Sequence, residues 1–263
     1  MSKDTKSLRS QIETETTHEV EQLSTSGALS KRVEKIKTRS KSYVLDLRIH
    51  SPASLGYLGI EGIDTAPALV RLAQVKGLDV IAVTDFYSAA FVDRVREAAQ
   101  TSTVTVIPGT VLRCVLGGCD DVVLTCLFPE DYSGAQVQAF LTALNIPASA
   151  AGDRKYLVRA PFDQVLATIE AHHGVALPSR MDKTPHRQAA IATLVEKYGF
   201  RAFDLAYADS NRFFKQRWPK IKFQLFSFSS AHALAQVGSR NAKVKMAESG
   251  FGGIRSLIAR DSA

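Results

Sequence analysis

The sequence predicts an α/β fold built from repeated strand-helix units, and three observations carry that prediction. Short apolar runs alternate with helix-period segments from Tyr43 to about residue 260. Hydrophobic residues make up 45% of the 263 and charged residues 22%, which is a globular composition with enough apolar surface for a sizeable core. No apolar run approaches the roughly 18 residues that a membrane-spanning helix needs, so no membrane segment is expected.

Tyr43 to Ile49 reads as the first strand. Thr65 to Lys76 follows as a helix with Leu69, Leu72 and Ala73 on one face, and Gly77 stops it before a strand over Asp79 to Thr84. A helix over Ala89 to Gln100 leads to a strand over Thr103 to Ile107, after which Pro108-Gly109 reads as a turn. Val111 to Cys114 and Asp121 to Leu127 read as two strands joined across Gly117-Gly118. Helices around Ala135 to Leu144 and Phe162 to His172 come next, then a strand over Gly174 to Leu177 and a helix over Gln188 to Tyr198. A strand over Ala202 to Leu205, a short helix near Asn211 to Arg217 and a strand over Lys222 to Phe228 complete the series. Such alternation predicts a parallel architecture, barrel or open sheet, with its active site at the carboxyl ends of the strands.

Residues 1 to about 42 differ in kind. They contain no aromatic residue, many Ser and Thr, and a basic run in which Lys31, Arg32, Lys35, Lys37, Arg39 and Lys41 face Glu34 alone. This composition buries little apolar surface and reads as a flexible, solvated extension with a helix around Leu29 to Ile36; a docking arm for nucleic acid or a partner is the alternative. Glu13, Glu15, Glu19 and Glu21 argue against a targeting peptide.

Lys plus Arg number 33 against 26 Asp plus Glu, and the resulting formal charge of +7 leans toward nucleic acid, phosphorylated ligands or an acidic protein as partner. Cys114, Cys119 and Cys126 form no Cys-x-x-Cys pair and have no nearby His, so neither a disulfide framework nor a zinc site is indicated. A reducing, cytoplasmic location is the expectation.

The informative residues fall at the expected strand ends. Asp46-Leu47-Arg48-Ile49-His50-Ser51, Gly77-Leu78-Asp79 running on to Thr84-Asp85-Phe86, Val106 to Val111, Leu127-Phe128-Pro129-Glu130, Gly174 to Arg180 and Ser229-Ser230-Ala231-His232 occur in that order. In order and wording the series resembles the polymerase and histidinol phosphatase (PHP) family of metal-dependent phosphoesterases, from residue 43 to about 260, with Gly238 also at the family's spacing. The resemblance implies a distorted, TIM-like (β/α)7 barrel and a cluster of divalent ions held by His, Asp and Glu.

This sequence departs from that ligand pattern at most positions. Arg48 stands for the first His, Phe86 for the His of the Thr-Asp-His word, Val111 for a Glu, Val123 for another His, Arg180 for the His of Ala-His and Ser230 for the final Asp. His50 and His232 are kept. A catalytic zinc takes at least three protein ligands, and a two-metal site needs carboxylates, so two imidazoles cannot hold the cluster. Arg48 and Arg180 carry permanent positive charge, which converts a cation site into one suited to an anion.

One reading makes Arg48 and Arg180 phosphate receptors, with His50 and His232 as hydrogen-bond donors and Ser229 or Ser230 beside them. The competing reading has the pocket packed by Phe86 and Val111, with the arginines paired to Asp46, Asp85 or another carboxylate. His50 and His232 also fit a metal-free acid/base pair, although nothing positions a nucleophile. His172-His173 reads as a helix-end feature, and His18 and His186, the latter in a loop after Pro185, lack ligand spacing.

A second basic feature lies from Asn211 to Phe223, where Arg212, Lys215, Arg217, Lys220 and Lys222 interleave with Phe213, Phe214 and the only Trp, Trp218. The aromatics read as core anchors of a short helix that Pro219 ends, with the cations on its wet face; a polyanion-binding surface is the functional alternative.

Three functions follow. The leading expectation is a phosphoesterase-like barrel with no catalytic residue and no bound metal, which works by binding a phosphorylated ligand, nucleic acid or an acidic protein. The second is a phosphoesterase or nuclease with a reduced site, a single Zn or Mn at His50 and His232 aided by Asp46, Asp85, Asp182 or Asp209. The third is a structural or interaction subunit.

Overall fold

The computed structural model describes residues 40–261. The basic run up to Arg39, His18 and the helix expected around Leu29 to Ile36 lie outside the described residues. The strands are β1 (Lys41–Ile49), β2 (Val80–Phe86), β3 (Thr105–Leu116), β4 (Cys119–Leu127), β5 (Val175–Pro178), β6 (Ala202–Asp204), β7 (Gln224–Phe226) and β8 (Ala242–Met246). The α-helices are α1 (Thr65–Val75), α2 (Val92–Ala99), α3 (Gly134–Ala143), α4 (Phe162–Ala171), α5 (Pro185–Glu196), α6 (Asn211–Arg217) and α7 (Phe251–Ile258).

Local chemistry sets several of these boundaries. Asp64 caps α1 by accepting from the Ala66 N–H, and Ser133 with Gln136 forms a capping box at the start of α3. Thr184 caps α5 and Pro185 takes its first position, where a missing N–H costs nothing. His186 therefore sits in the first turn of a helix and not in the loop that the sequence suggested. Gly117 and Gly118, both at positive φ, make the tight turn between β3 and β4.

Six strands form a curled sheet in the order β5-β4-β3-β2-β1-β8, and β6 and β7 pair separately. Single parallel bridges, Ser179 to Asp204 and Ile49 to Ala231, link the two sheets. Pairing is parallel for β1-β2, β2-β3 and β6-β7, but antiparallel for β3-β4, β4-β5 and β1-β8. The architecture is thus mixed α/β rather than uniformly parallel. β8 and α7 had no counterpart in the sequence reading.

Pro108-Gly109 is a second correction: β3 runs straight through it, with Pro108 opposite Val83 and Gly109 opposite Thr84. A Cβ on Gly109 would stand 2.8 Å from the Cys126 carbonyl oxygen and 2.9 Å from Thr84 Cγ2. The glycine is required by close strand approach and not by a turn. The Pro108 carbonyl still accepts the Phe128 N–H at 2.9 Å, so the missing donor leaves the strand otherwise paired.

One apolar cluster joins strand residues such as Ile81, Val83 and Leu112 to α1 to α6. A second takes residues such as Leu45, Leu47, Ala82, Ile107, Leu177 and Phe226 from consecutive strands and closes them with Phe251, Ile254 and Ile258 of α7. Packing on both faces of the sheet leaves the strand ends as the place where polar side chains gather.

Candidate functional site

The strand ends surround a cavity of about 1030 Å³ lined by Arg48, His50, Phe86, Val123, Arg180, Ser229, Ser230 and His232 among others. Arg48 and His50 come from the end of β1, Phe86 from β2, Arg180 from the residues after β5, and Ser229 to His232 from those after β7. The register of β1 against β2 shifts between Asp46 and Ile49, a bulge that re-aims the end of β1 where Arg48 lies. Arg180 and Ser230 have φ of 56° and 52°, a left-handed backbone that costs L-residues roughly 1–3 kcal/mol and is concentrated at functional sites.

At the cavity floor a carboxylate that the sequence reading did not single out, Asp204 at the end of β6, stands between two arginines. Its Oδ2 lies 3.6 Å from Arg48 Nη1 and 3.6 Å from Arg180 Nε, ion-pair distances too long for hydrogen bonds. Of the partners that the packed-pocket reading allowed, Asp46, Asp85 or another carboxylate, the one found is another carboxylate, Asp204. Asp204 Oδ1 accepts the Phe228 N–H at 2.9 Å, while Arg180 Nη2 donates to the Phe228 carbonyl at 2.9 Å. Arg48 Nε and Nη1, Arg180 Nε and Asp204 Oδ2 are buried without hydrogen-bond partners. Burial lowers the Arg48 pKa to about 10 against the attraction of Asp204. Burial also raises the Asp204 carboxyl, and the two arginines oppose that rise. The signal for Asp204 was its place as an acid at the end of an expected strand.

The imidazoles are arranged as acceptors. Ser54 Oγ donates to Asp85 Oδ1 at 2.6 Å, so its contact of 3.2 Å with His50 Nδ1 is served by a proton on Nδ1. The Nε2 of a neutral His50 then carries a lone pair, and this buried atom has no partner. His232 Nδ1 donates to the Ser230 carbonyl at 2.8 Å, which places its lone pair on Nε2 as well. The rings lie 4.1 Å apart between centroids, and His50 stacks on Phe86 at 5.3 Å. Burial, then the Arg48 charge, holds His50 well below the usual histidine range, and burial lowers His232. In this tautomer each neutral ring donates through Nδ1 and carries its free lone pair on Nε2, and protonation would make Nε2 a donor.

Five further cations line the cavity: Arg113, Arg154, Lys155, Lys183 and Arg187. None of its lining residues is a carboxylate. Arg113 Nε and Arg187 Nε reach the two oxygens of Asp121 at 2.6 and 2.8 Å. Arg154, Lys155 and Lys183 take part in no ion pair among the described residues.

The other candidate carboxylates have structural employment or lie elsewhere. Asp46 accepts the Ser229 and Gly238 N–H groups, and burial raises its pKa. Asp85 accepts from Ser51 and Ser54, and Asp182 from the Ala206 and Tyr207 N–H groups and Ser210 Oγ. Asp209 is exposed in a single 3-10 turn. Among the described residues no three His, Cys, Asp or Glu side chains are grouped to hold a metal ion. With two imidazoles beside two guanidiniums, the donor set does not fit a cluster of divalent ions.

Arg212, Lys215, Arg217, Lys220 and Lys222 are all exposed on or after α6 and none lines the cavity. Phe214 and Trp218 are buried and pack with Phe203 and Phe223, so the aromatics anchor this helix, as the sequence reading held. The Arg217 guanidinium lies 5.9 Å from the Trp218 ring.

No family model matches the sequence, and no curated protein does. Solved structures do share its fold. A lesion-specific endonuclease from Pyrococcus furiosus superimposes with a TM-score of 0.59 at 16% identity over 83% of this chain and 56% of its own. This chain thus spans little more than half of that protein's length. A protein from Bifidobacterium adolescentis, provisionally described as a metal-dependent phosphoesterase, gives 0.51 at 13% identity, over 81% of this chain and 94% of its own. An amidohydrolase from Chromobacterium violaceum, solved with bound sulfate and no metal, gives 0.54 at 13% identity, over 83% and 98%.

Proposed function

We propose that this chain, which has the fold of the PHP-type phosphoesterases, works by binding a phosphate-bearing ligand in the cavity at its strand ends. The observation that carries the reading is the pair of buried guanidiniums, Arg48 and Arg180, sharing the single carboxylate of Asp204 at ion-pair distance while Arg48 Nε, Arg48 Nη1 and Arg180 Nε make no hydrogen bond. Two cations on one anion leave an excess positive charge in a dry site, and a tetrahedral oxyanion is the complement that offers both charge and several acceptors. His50 lines the same cavity, and its buried Nε2, which has no hydrogen-bond partner, would suit the protonated oxygen of a phosphate monoanion. A relative of this fold that was solved holding sulfate and no metal supports the choice of anion.

The test is calorimetric titration with inorganic phosphate. The unmodified chain binds, and Arg48→Met and Arg180→Met each weaken binding by about tenfold or more, since a charge-assisted hydrogen bond contributes roughly 1.5–3 kcal/mol. Unchanged affinity in both variants would remove this reading. A second reading, hydrolysis of phosphate esters with a single Zn or Mn, is favoured by the neighbouring Nε2 lone pairs of His50 and His232. Turnover of a phosphodiester or phosphomonoester in Mn²⁺ or Zn²⁺ that His50→Ala abolishes would establish that reading instead.

A further inference from the structure

Arg48 and Arg180 are two of the seven cations that line this cavity. Asp121, beneath its side wall, repeats the arrangement seen at Asp204. Asp121 Oδ1 accepts from Arg113 Nε at 2.6 Å, and its Oδ2 faces Arg187 Nε at 2.8 Å and Nη2 at 2.7 Å. Both arginines line the cavity, with side chains 21% and 15% exposed, so this second unit is wetter than the first but still held in place. Arg113 Nη2 makes no hydrogen bond among the described residues, and the backbone holds two more of the unit's donor groups, Arg113 Nη1 on the Arg154 carbonyl at 2.8 Å and Arg187 Nη1 on the Arg180 carbonyl at 3.4 Å. That last bond ties the second unit directly to a residue of the first. The Arg187 charge also reaches Arg48, where it contributes to the lowered pKa.

On the reading that the cavity binds phosphate, we infer that its ligand carries two linked phosphoryl groups, one on the Arg48-Asp204-Arg180 unit and one on the Arg113-Asp121-Arg187 unit. Seven lining cations against the two carboxylates behind them leave five positive charges. A single phosphoryl group supplies only about 1.5 to 2 negative charges and would leave the second unit unanswered. A diphosphate roughly doubles the number of acceptor oxygens, and arginine pairs are suited to holding each phosphoryl group in a defined orientation. A cavity of about 1030 Å³ has room for such a ligand together with the group that bears it. Arg154, Lys155 and Lys183 add unpaired charge around the same opening.

The experiment titrates the full chain with orthophosphate and with pyrophosphate at one fixed ionic strength, with thermal melts to establish folding of each variant. The unmodified chain is expected to bind pyrophosphate at least about tenfold more tightly than orthophosphate. Arg187→Met is expected to reduce that ratio to about threefold or less. Lys245→Met, an exposed charge on β8 that does not line the cavity, should leave the ratio unchanged. If Arg187→Met does not fold, Arg113→Gln removes the other arm of the same unit and is read in the same way. Equal affinities in the unmodified chain, a ratio that survives both substitutions, or a ratio that Lys245→Met lowers equally would overturn the inference while leaving the phosphate pocket in place. Absence of binding by either anion would overturn the pocket itself.

Discussion

Asp204 carries two guanidiniums, and the two sides of that pairing respond oppositely to substitution. Asp204→Asn leaves two buried cations without a counter-charge and should cost about 3–5 kcal/mol in urea denaturation. Arg48→Met leaves a one-to-one pair and should keep or raise ligand-free stability; equal losses in the two variants would contradict an excess of buried charge. His50 and His232 give a pH dependence of known sign. Their folded pKa values lie below the unfolded value of about 6.5, so at lower pH the unfolded chain binds protons that the folded chain refuses. Stability is full above about pH 6.5 and falls as the pH drops toward the folded values, by up to about 1.4 kcal/mol per unit for each group. Denaturation midpoints at pH 7 and 5.5 should show this decline, and His50→Gln should flatten it. At this scale the cavity residues Arg48, His50, Arg180, Ser230 and His232 were legible because each sits in a word at an expected strand end. Arg113, Arg187 and the pairing of Asp204 were not, because an ion pair between distant residues leaves no local pattern.

Among the elements, β3 is the most exacting. Its passage through Pro108-Gly109 depends on the absence of a side chain where β2 and β4 approach from either side. Gly109→Ala should lower stability by about 1–3 kcal/mol, the usual range for an overpacked core, as measured by chemical denaturation. A loss near zero would mean that the strands separate without cost. The same pair of residues shows why the sequence misled at this scale. Pro-Gly is the strongest local turn signal, and it was overruled by contacts with Thr84 and Cys126 that only the assembled sheet supplies. β8 alternates in sequence, with Lys243 and Lys245 exposed between Ala242, Val244 and Met246, but it is only five residues long and its pairing with β1 is supplied by the assembled sheet. The helices from α1 to α6 were legible because their apolar faces are local, whereas α7 was not read.

For the whole molecule, the excess of 33 basic over 26 acidic residues acts as a field and not through one contact. The cations of α6 and the segment after it are exposed and lie outside the cavity, so a polyanion-binding role for them is testable apart from it. Binding of a single-stranded oligonucleotide should weaken steeply as salt rises, because phosphate contacts release counterions. Lys215→Glu with Arg217→Glu should lower oligonucleotide affinity and leave orthophosphate affinity unchanged. A loss of both would place the two anions on one surface, and a loss of neither would assign the helix to packing alone.

The sequence by itself determined most of the strand-helix order from Tyr43 to Phe228, the approximate positions of the helices in that stretch, and the collection of Arg48, His50, Arg180 and His232 at strand ends. These depend on hydrophobic period, caps and short words, all of which are local in the chain. The tertiary structure alone decided the mixed pairing of the sheet, the straight course of β3, and the placing of Asp204 and Asp121 each between two arginines. Those outcomes depend on which distant segments meet, and a buried charge acquires its partner, its displaced pKa and its surplus only when they do.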